Sequence, residues 1–166
     1  MGRSIIRAIH EIQVSETGEA SLATAQTSVM MGDWMLWHNE SEPAMDAYSL
    51  AIGELAGLDD AQIQTENILG SPTALPDLVG MRSLPPEVSA EAGDILLEFG
   101  VSRKGRVTDL VRLDNDIAPD TAKDTELESK AIRLMRSLRR TKFRPRFVDG
   151  VAITTEKLVK AYAIAH

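Results

Sequence analysis

The N-terminal half of the chain carries apolar residues at helical spacing. Between positions 4 and 14, isoleucines recur every three or four residues, which is the period of one helix face. The same kind of spacing continues after the break at residues 15–18, which are Ser-Glu-Thr-Gly. Ser41 is a candidate N-cap of a helix, and Gly57 is a candidate helix end. The pattern predicts four helices, over residues 4–14, 19–38, 41–56 and 59–69, of which the fourth is the weakest.

The C-terminal half changes to strand-like alternation with one helix. Residues 95–101 place Ile95, Leu97, Phe99 and Val101 at alternate positions, which predicts a half-buried strand, and a second strand is predicted over 107–113 after the turn 103–106. An apolar stripe then predicts an amphipathic helix over 126–140, formed by Leu127, Ala131, Leu134 and Leu138. A third strand is predicted over 143–148, where Pro145 indicates an edge or a bulge, and a fourth from Val151 onward, after the Asp149-Gly150 turn.

These elements predict an α+β protein with a helical segment and a ββαβ(β) domain, in which one helix packs on a small antiparallel sheet. The seventeen residues 70–86 contain four prolines and two glycines, which is typical of a linker. We therefore expect a helical domain over 1–69, a Pro/Gly linker over 70–84 and a second domain over 85–166.

Small residues and one aromatic residue recur along the second and third helices. They predict a closely packed helical hairpin, with Tyr48 in the gap that the small residues leave: Gly32, Ala44, Tyr48 and Ala51. The spacing resembles a single tetratricopeptide repeat over about residues 28–57. Ser28 and Met31 occupy the usual tryptophan and leucine positions, and an ordinary αα-hairpin is the alternative interpretation.

A second resemblance covers about residues 84–162. The strand that ends at Val101, the Lys104-Gly105-Arg106 turn, the following helix and above all Phe143-Arg144-Pro145 with Gly150 resemble the C-terminal domain of the TonB energy-transducer family. Leu84-Pro85-Pro86 stands where that family usually has a tyrosine-proline element. An unrelated ββαβ domain is the alternative.

The TonB resemblance implies a binding module of the bacterial cell envelope or periplasm, with a role related to transport. Such domains take an extended segment of a partner as an added strand at a sheet edge. By resemblance, the receiving strand consists of Leu158, Val159, Lys160, Ala161, Tyr162, Ala163 and Ile164. Pairing of this strand within a homodimer, in a purely structural oligomerisation role, is the alternative.

Charge is distributed unevenly along the chain, whose net charge is −7. Residues 1–84 carry a net charge of −9 and residues 85–166 one of +2, and the 17 residues 130–146 hold eight basic and no acidic side chains. Six of these form a candidate site for an anionic polymer such as RNA or for lipid head groups: Lys130, Arg133, Arg136, Arg140, Arg144 and Arg146. A solvated basic face, or one that docks the acidic half, is the alternative.

Catalytic and metal-binding motifs are not found in the sequence. It lacks cysteine, a P-loop, a G-x-S-x-G motif and a G-x-G-x-x-G motif. The acidic residues 114–124 lack the glycine and the terminal glutamate of a calcium loop. No apolar run is long enough for a membrane span, and no export signal is recognised. We therefore expect a non-enzymatic protein without cofactor, metal or small-molecule substrate, which binds other envelope proteins or itself.

Overall fold

The N-terminal half forms four helices, as its apolar spacing predicts. The computed structural model describes residues 2–17, 21–75, 81–83, 95–114 and 122–164, and its first helices are α1 (Gly2–Thr17), α2 (Leu22–Trp37), α3 (Ser41–Leu55) and α4 (Ala61–Leu69). A capping box begins α2, in which the Ser21 hydroxyl accepts from the N–H of Thr24 and the Thr24 hydroxyl accepts from the N–H of Ser21. Ser41 is the first residue of α3, and Glu40 occupies the N-cap position that the sequence assigned to Ser41.

The rest of the described chain contains eight strands and one helix, so the predicted α+β class is confirmed. They are β1 (Thr73–Leu75), β2 (Met81–Ser83), β3 (Ile95–Val101), β4 (Val107–Arg112), α5 (Ala122–Arg140), β5 (Lys142–Arg144), β6 (Arg146–Val148), β7 (Val151–Ile153) and β8 (Thr155–Ile164). The main sheet has the order β2-β8-β3-β4 and is antiparallel, while β1 pairs with β5 and β6 pairs with β7.

The chain is divided into two compact units. Unit 2 consists of Ala74–Phe143 and Thr154–His166. Its core joins the inward face of β3 to the apolar stripe of α5, with Phe143 and Tyr162 beside them: Ile95, Leu97, Phe99, Val101, Ala131, Leu134, Leu138, Phe143 and Tyr162. The sheet therefore buries one face under a single helix, which is the arrangement that the alternation of β3 and the stripe of α5 predict.

Unit 1 consists of Met1–Thr73 and Arg144–Ile153. Its core lies between α2 and α3, where Ala25, Leu36, Ala44, Tyr48, Ala51 and Leu55 are fully buried. The β6–β7 hairpin adds Phe147, whose ring meets the ring of Tyr48 edge-on at 5.3 Å between centroids. A hairpin from late in the chain thus completes the core of the helical unit.

This division differs from the predicted domain boundaries. Residues 144–153 are grouped with the helices, although the sequence places them in the C-terminal domain, and the predicted linker contains β1 and β2. The predicted third strand breaks at Pro145, which has no N–H to donate to a ladder. The ring of Phe143 then lies in the core of unit 2, with its centroid 5.6 Å from that of Phe99, whereas Phe147 lies in unit 1. Residues 76–80 of the predicted linker and the Leu84-Pro85-Pro86 element lie outside the described residues.

Candidate functional site

The predicted receiving strand is paired on both sides over part of its length. β3 pairs with β8 from Leu158 to Tyr162, and β2 covers the opposite edge at Tyr162, Ala163 and Ile164. The expectation that the whole segment 158–164 is a free edge is therefore wrong for its last three residues. Within the described ranges, pairing on the β2 side ends at Tyr162, which leaves 158–161 with one partner strand. We call residues 158–161 the open step of β8.

Backbone chemistry explains why the open step can accept another strand. Alternate residues of an antiparallel strand direct their N–H and C=O groups to opposite edges, so about half of these groups in the open step face away from β3.

Side chains of the open step alternate between the two faces of the sheet. Leu158 packs against the core of unit 2, and Lys160, two residues further on, shares that face. Val159 points to the opposite face and is 53% exposed. Burial lowers the pKa of Lys160, and no ion pair or hydrogen bond of this ammonium group is found in the described part of the chain.

The other edge of the sheet is a less regular template. β4 is the outer strand there, and its register against β3 shifts between Glu98 and Gly100, where Asp109 has a positive φ of 50°. Such a bulge interrupts the row of hydrogen-bonding groups and is a common protection of edge strands. A bridge from Lys142 to Arg106 also occupies the start of this edge. The open step is therefore the better candidate for strand addition.

The basic segment is divided between the two units. Arg133, Arg136 and Arg140 are exposed on α5, and Lys130 on the same helix pairs with Glu126 at 2.9 Å. Arg144 and Arg146 belong to unit 1 and are half-buried. Four of the six predicted patch residues therefore belong to unit 2 and two to unit 1, where Arg144 already has an acidic partner.

That partner is Asp33 on α2. Asp33 accepts hydrogen bonds from Arg144 Nη1 at 2.9 Å and from the Tyr48 hydroxyl at 2.8 Å, while Arg144 Nη2 donates to the Thr73 hydroxyl at 3.2 Å. Burial raises the pKa of Asp33, although Arg144 and Tyr48 act in the opposite direction. Burial and the neighbouring Asp33 carboxylate also raise the pKa of Tyr48. The cluster joins Arg144, two residues before the β6–β7 hairpin, to α2 and to Thr73 within unit 1.

The residues of the predicted hairpin meet as their small size suggests. A Cβ atom on Gly32 would lie 2.5 Å from Cε1 of Tyr48, so only glycine leaves room for this ring. Ala44 and Ala51 are fully buried in the same interface. The resemblance to a tetratricopeptide repeat itself remains a prediction.

Sequence reasoning missed a second buried polar cluster in unit 1. Glu54 on α3 is only 9% exposed and accepts from the Ser28 hydroxyl at 2.8 Å, while its other oxygen lies 2.8 Å from His10 Nε2. Its position among Ala47, Ala51 and Leu55 on the apolar side of α3 is the signal that could have identified Glu54 as buried.

A cavity of about 430 Å³ lies between α1, α2 and α3. Its floor is apolar, its rim is charged, and its volume falls in the range of small-molecule pockets. The lining residues are Arg7, His10, Glu11, Met31, Met35, Pro43, Asp46, Ala47 and Leu50.

The described residues contain no group of three or more histidine or carboxylate side chains placed to share a metal ion. Among the helices in these ranges, none combines the length and the apolar character that a bilayer crossing requires. No protein-family model matches the chain, and comparisons with curated proteins and with solved structures find no match either.

Proposed function

We propose that the chain is a non-enzymatic binding module that accepts an extended segment of a protein partner as an added strand on β8. The observation that carries the proposal is the open step, residues 158–161, which β3 pairs on one edge and β2 leaves uncovered on the other. Backbone hydrogen bonds supply affinity in this mode of recognition, and alternate side chains supply specificity.

The surroundings of the open step support this proposal. The register between β3 and β8 is continuous from Leu158 to Tyr162, and the irregular residue Lys157, with its positive φ of 53°, lies just outside it. The paired strand β3 is anchored by side chains that are fully buried under α5. A rigid template of this kind loses little conformational entropy when a strand is added.

The resemblance to the TonB domain supports the cell envelope as the compartment of this binding module. In this proposal, the partner is an envelope protein, and the helical hairpin of unit 1 offers a second contact surface. Oligomerisation of the chain through the same strand is the competing role.

Hydrogen exchange tests the proposal directly. We expect a synthetic peptide with alternating threonine and valine residues to slow the exchange of outward-facing amides in residues 158–161 and to leave the β3-bonded amides unchanged. Val159→Lys should weaken this protection, because a charged side chain beside an edge opposes strand pairing. Val151→Lys is the matched control, since Val151 is also an exposed strand valine, at 63%, and lies in unit 1. No protection at 158–161 with any strand peptide would refute the proposal.

A second candidate function rests on α5. Arg133, Arg136, Arg139 and Arg140 are exposed, and no ion pair is found for them in the described ranges. This arrangement supports binding of an anionic polymer. We expect the chain to bind an oligoribonucleotide at about 50 mM salt. The slope of the logarithm of the binding constant against the logarithm of the salt concentration should become about 0.7 less steep for each arginine changed to glutamine. Arg103, Lys104 and Arg106, in the turn before β4, provide a control set of exposed basic residues. Equal losses from both sets would indicate non-specific attraction.

A further inference from the structure

The ammonium group of Lys160 lies in the open step of β8 and bears on which partner strands this edge can bind. Lys160 pairs in register with Leu97, which is fully buried, and it shares the helix-facing side of the sheet with Leu158 and Tyr162. Among the described residues, its neighbours on this side are therefore two leucines and a tyrosine ring, and its own side chain is half-buried. No acidic side chain pairs with it in the described part of the chain, although burial of an ammonium group without a partner is unfavourable.

We propose that the open step selects an extended partner segment with an acidic residue opposite Lys160 and an apolar residue opposite Val159. This inference rests on the proposed strand addition and specifies its partner. A carboxylate on the added strand would lie beside the half-buried ammonium group, where opposite charges on paired strands attract. On the other face, the side chain opposite Val159 would cover a valine that is 53% exposed.

A second copy of the chain satisfies this preference poorly. Between residues 158 and 161, β8 itself carries one charged side chain, and that side chain is Lys160. Antiparallel pairing of two such strands about Lys160 would place two ammonium groups opposite each other, which is destabilising. Charge complementarity therefore favours a strand from a different protein, with acidic and apolar residues in alternation.

Three synthetic peptides test the selection. Each has nine residues, alternates threonine with valine, and carries glutamate, glutamine or lysine at its centre. Fluorescence anisotropy should show that the glutamate peptide binds the full chain about fivefold more tightly than the glutamine peptide, with the lysine peptide weakest. Lys160→Glu should invert this order, whereas Lys104→Glu, at an exposed turn position, should leave it unchanged.

The outcomes separate this inference from the proposed function. If all three peptides bind equally and protect the amides of 158–161 equally, strand addition stands and the selection by Lys160 is wrong. If no peptide protects those amides, the proposed function itself fails. Protection that depends on protein concentration and not on peptide would assign the edge to a second copy and overturn the inference. Should Lys160→Glu fail to fold, the comparison of the three peptides on the unmodified chain still decides the question.

Discussion

Arg144 donates a hydrogen bond from Nη1 to Oδ2 of Asp33 at 2.9 Å, although 111 positions separate the two residues in the sequence. Their side chains are 11% and 24% exposed, so the ion pair is largely removed from water. The pair joins an arginine of the basic segment to a carboxylate of the acidic N-terminal half, within unit 1. The net charge of the chain is therefore a poor guide to its electrostatics, because some opposite charges already neutralise each other inside the fold.

A double-mutant cycle on this pair should reveal strong coupling. We expect Arg144→Met or Asp33→Asn alone to lower the free energy of unfolding by about 3 kcal/mol, because each leaves a largely buried charge without its opposite charge. The double variant should recover part of this loss, with a coupling energy of about 1–3 kcal/mol in urea unfolding. The exposed pair Arg7–Glu11 is the control, and its coupling should stay below about 0.5 kcal/mol. Similar coupling in both pairs would contradict a buried role for Asp33.

Two glycines in helices should respond in opposite ways to alanine. At Gly32, a new Cβ would meet the Tyr48 ring at 2.5 Å, so we expect Gly32→Ala to destabilise unit 1 by about 1–3 kcal/mol. At Gly53 in α3, no atom beyond the adjacent residues and the backbone of the helix itself lies within 4 Å of the new Cβ, so Gly53→Ala should stabilise the helix by up to about 1 kcal/mol. Thermal unfolding of the two variants gives the comparison. A tolerated Gly32→Ala would mean that the α2–α3 contact is looser than described.

The local spacing of apolar residues predicts those helices and strands whose buried face can be identified from their own sequence. The stripe Leu127–Leu138 identifies α5 and its buried face, because residues at helical spacing must share a face wherever the helix packs. Alternation identifies β3 in the same way, and Gly105 marks the turn after it with a positive φ of 71°.

Long-range partners are not encoded in these local patterns. Phe143 and Phe147 have the same strand signature, yet one packs beside Phe99 and the other beside Tyr48, because the chain changes units at Arg144. Likewise, the three-residue strand β2 has too little alternation to be recognised, and only its pairing with Tyr162, Ala163 and Ile164 shows that part of β8 is covered. The resemblance predicts that the last strand receives a partner, but only the register of β8 with β2 and β3 shows that the open step covers residues 158–161.

Both tyrosines should resist ionisation in the folded chain. Burial raises the pKa of Tyr162 to about 12 and raises that of Tyr48 as well, while an unfolded tyrosine ionises near pH 10. The folded state therefore holds the two hydroxyl protons more tightly than the unfolded state does. The stability that this difference supplies is fully present below about pH 10, and it is lost as the pH rises from there toward the pKa of the folded state. Each tyrosine should lower the free energy of unfolding by about 1.4 kcal/mol per pH unit in that window.

Alkaline titration checks this prediction. Tyrosinate absorbance should appear together with the loss of the far-ultraviolet dichroism signal, because ionisation accompanies unfolding. Tyr162→Phe should reduce the slope of stability against pH by about half, since the chain has two tyrosines. Tyrosinate formation near pH 10 in a fully folded chain would contradict the burial of both rings.

The Ser28 hydroxyl should contribute to stability through Glu54. It donates to Glu54 Oε2 at 2.8 Å in a fully buried position, and hydrogen bonds to charged groups typically contribute about 1.5–3 kcal/mol. We expect Ser28→Ala to lower the free energy of unfolding by about that amount, because the buried carboxyl group then loses a donor and water cannot replace it. Ser49→Ala is the matched control, since Ser49 is exposed on α3, and alanine is the better helix former there, so its stability should be unchanged or slightly higher. If both variants unfold at the same urea concentration as the unmodified chain, Glu54 must obtain its hydrogen bonds elsewhere, and the contact of α1 through His10 becomes the one to test.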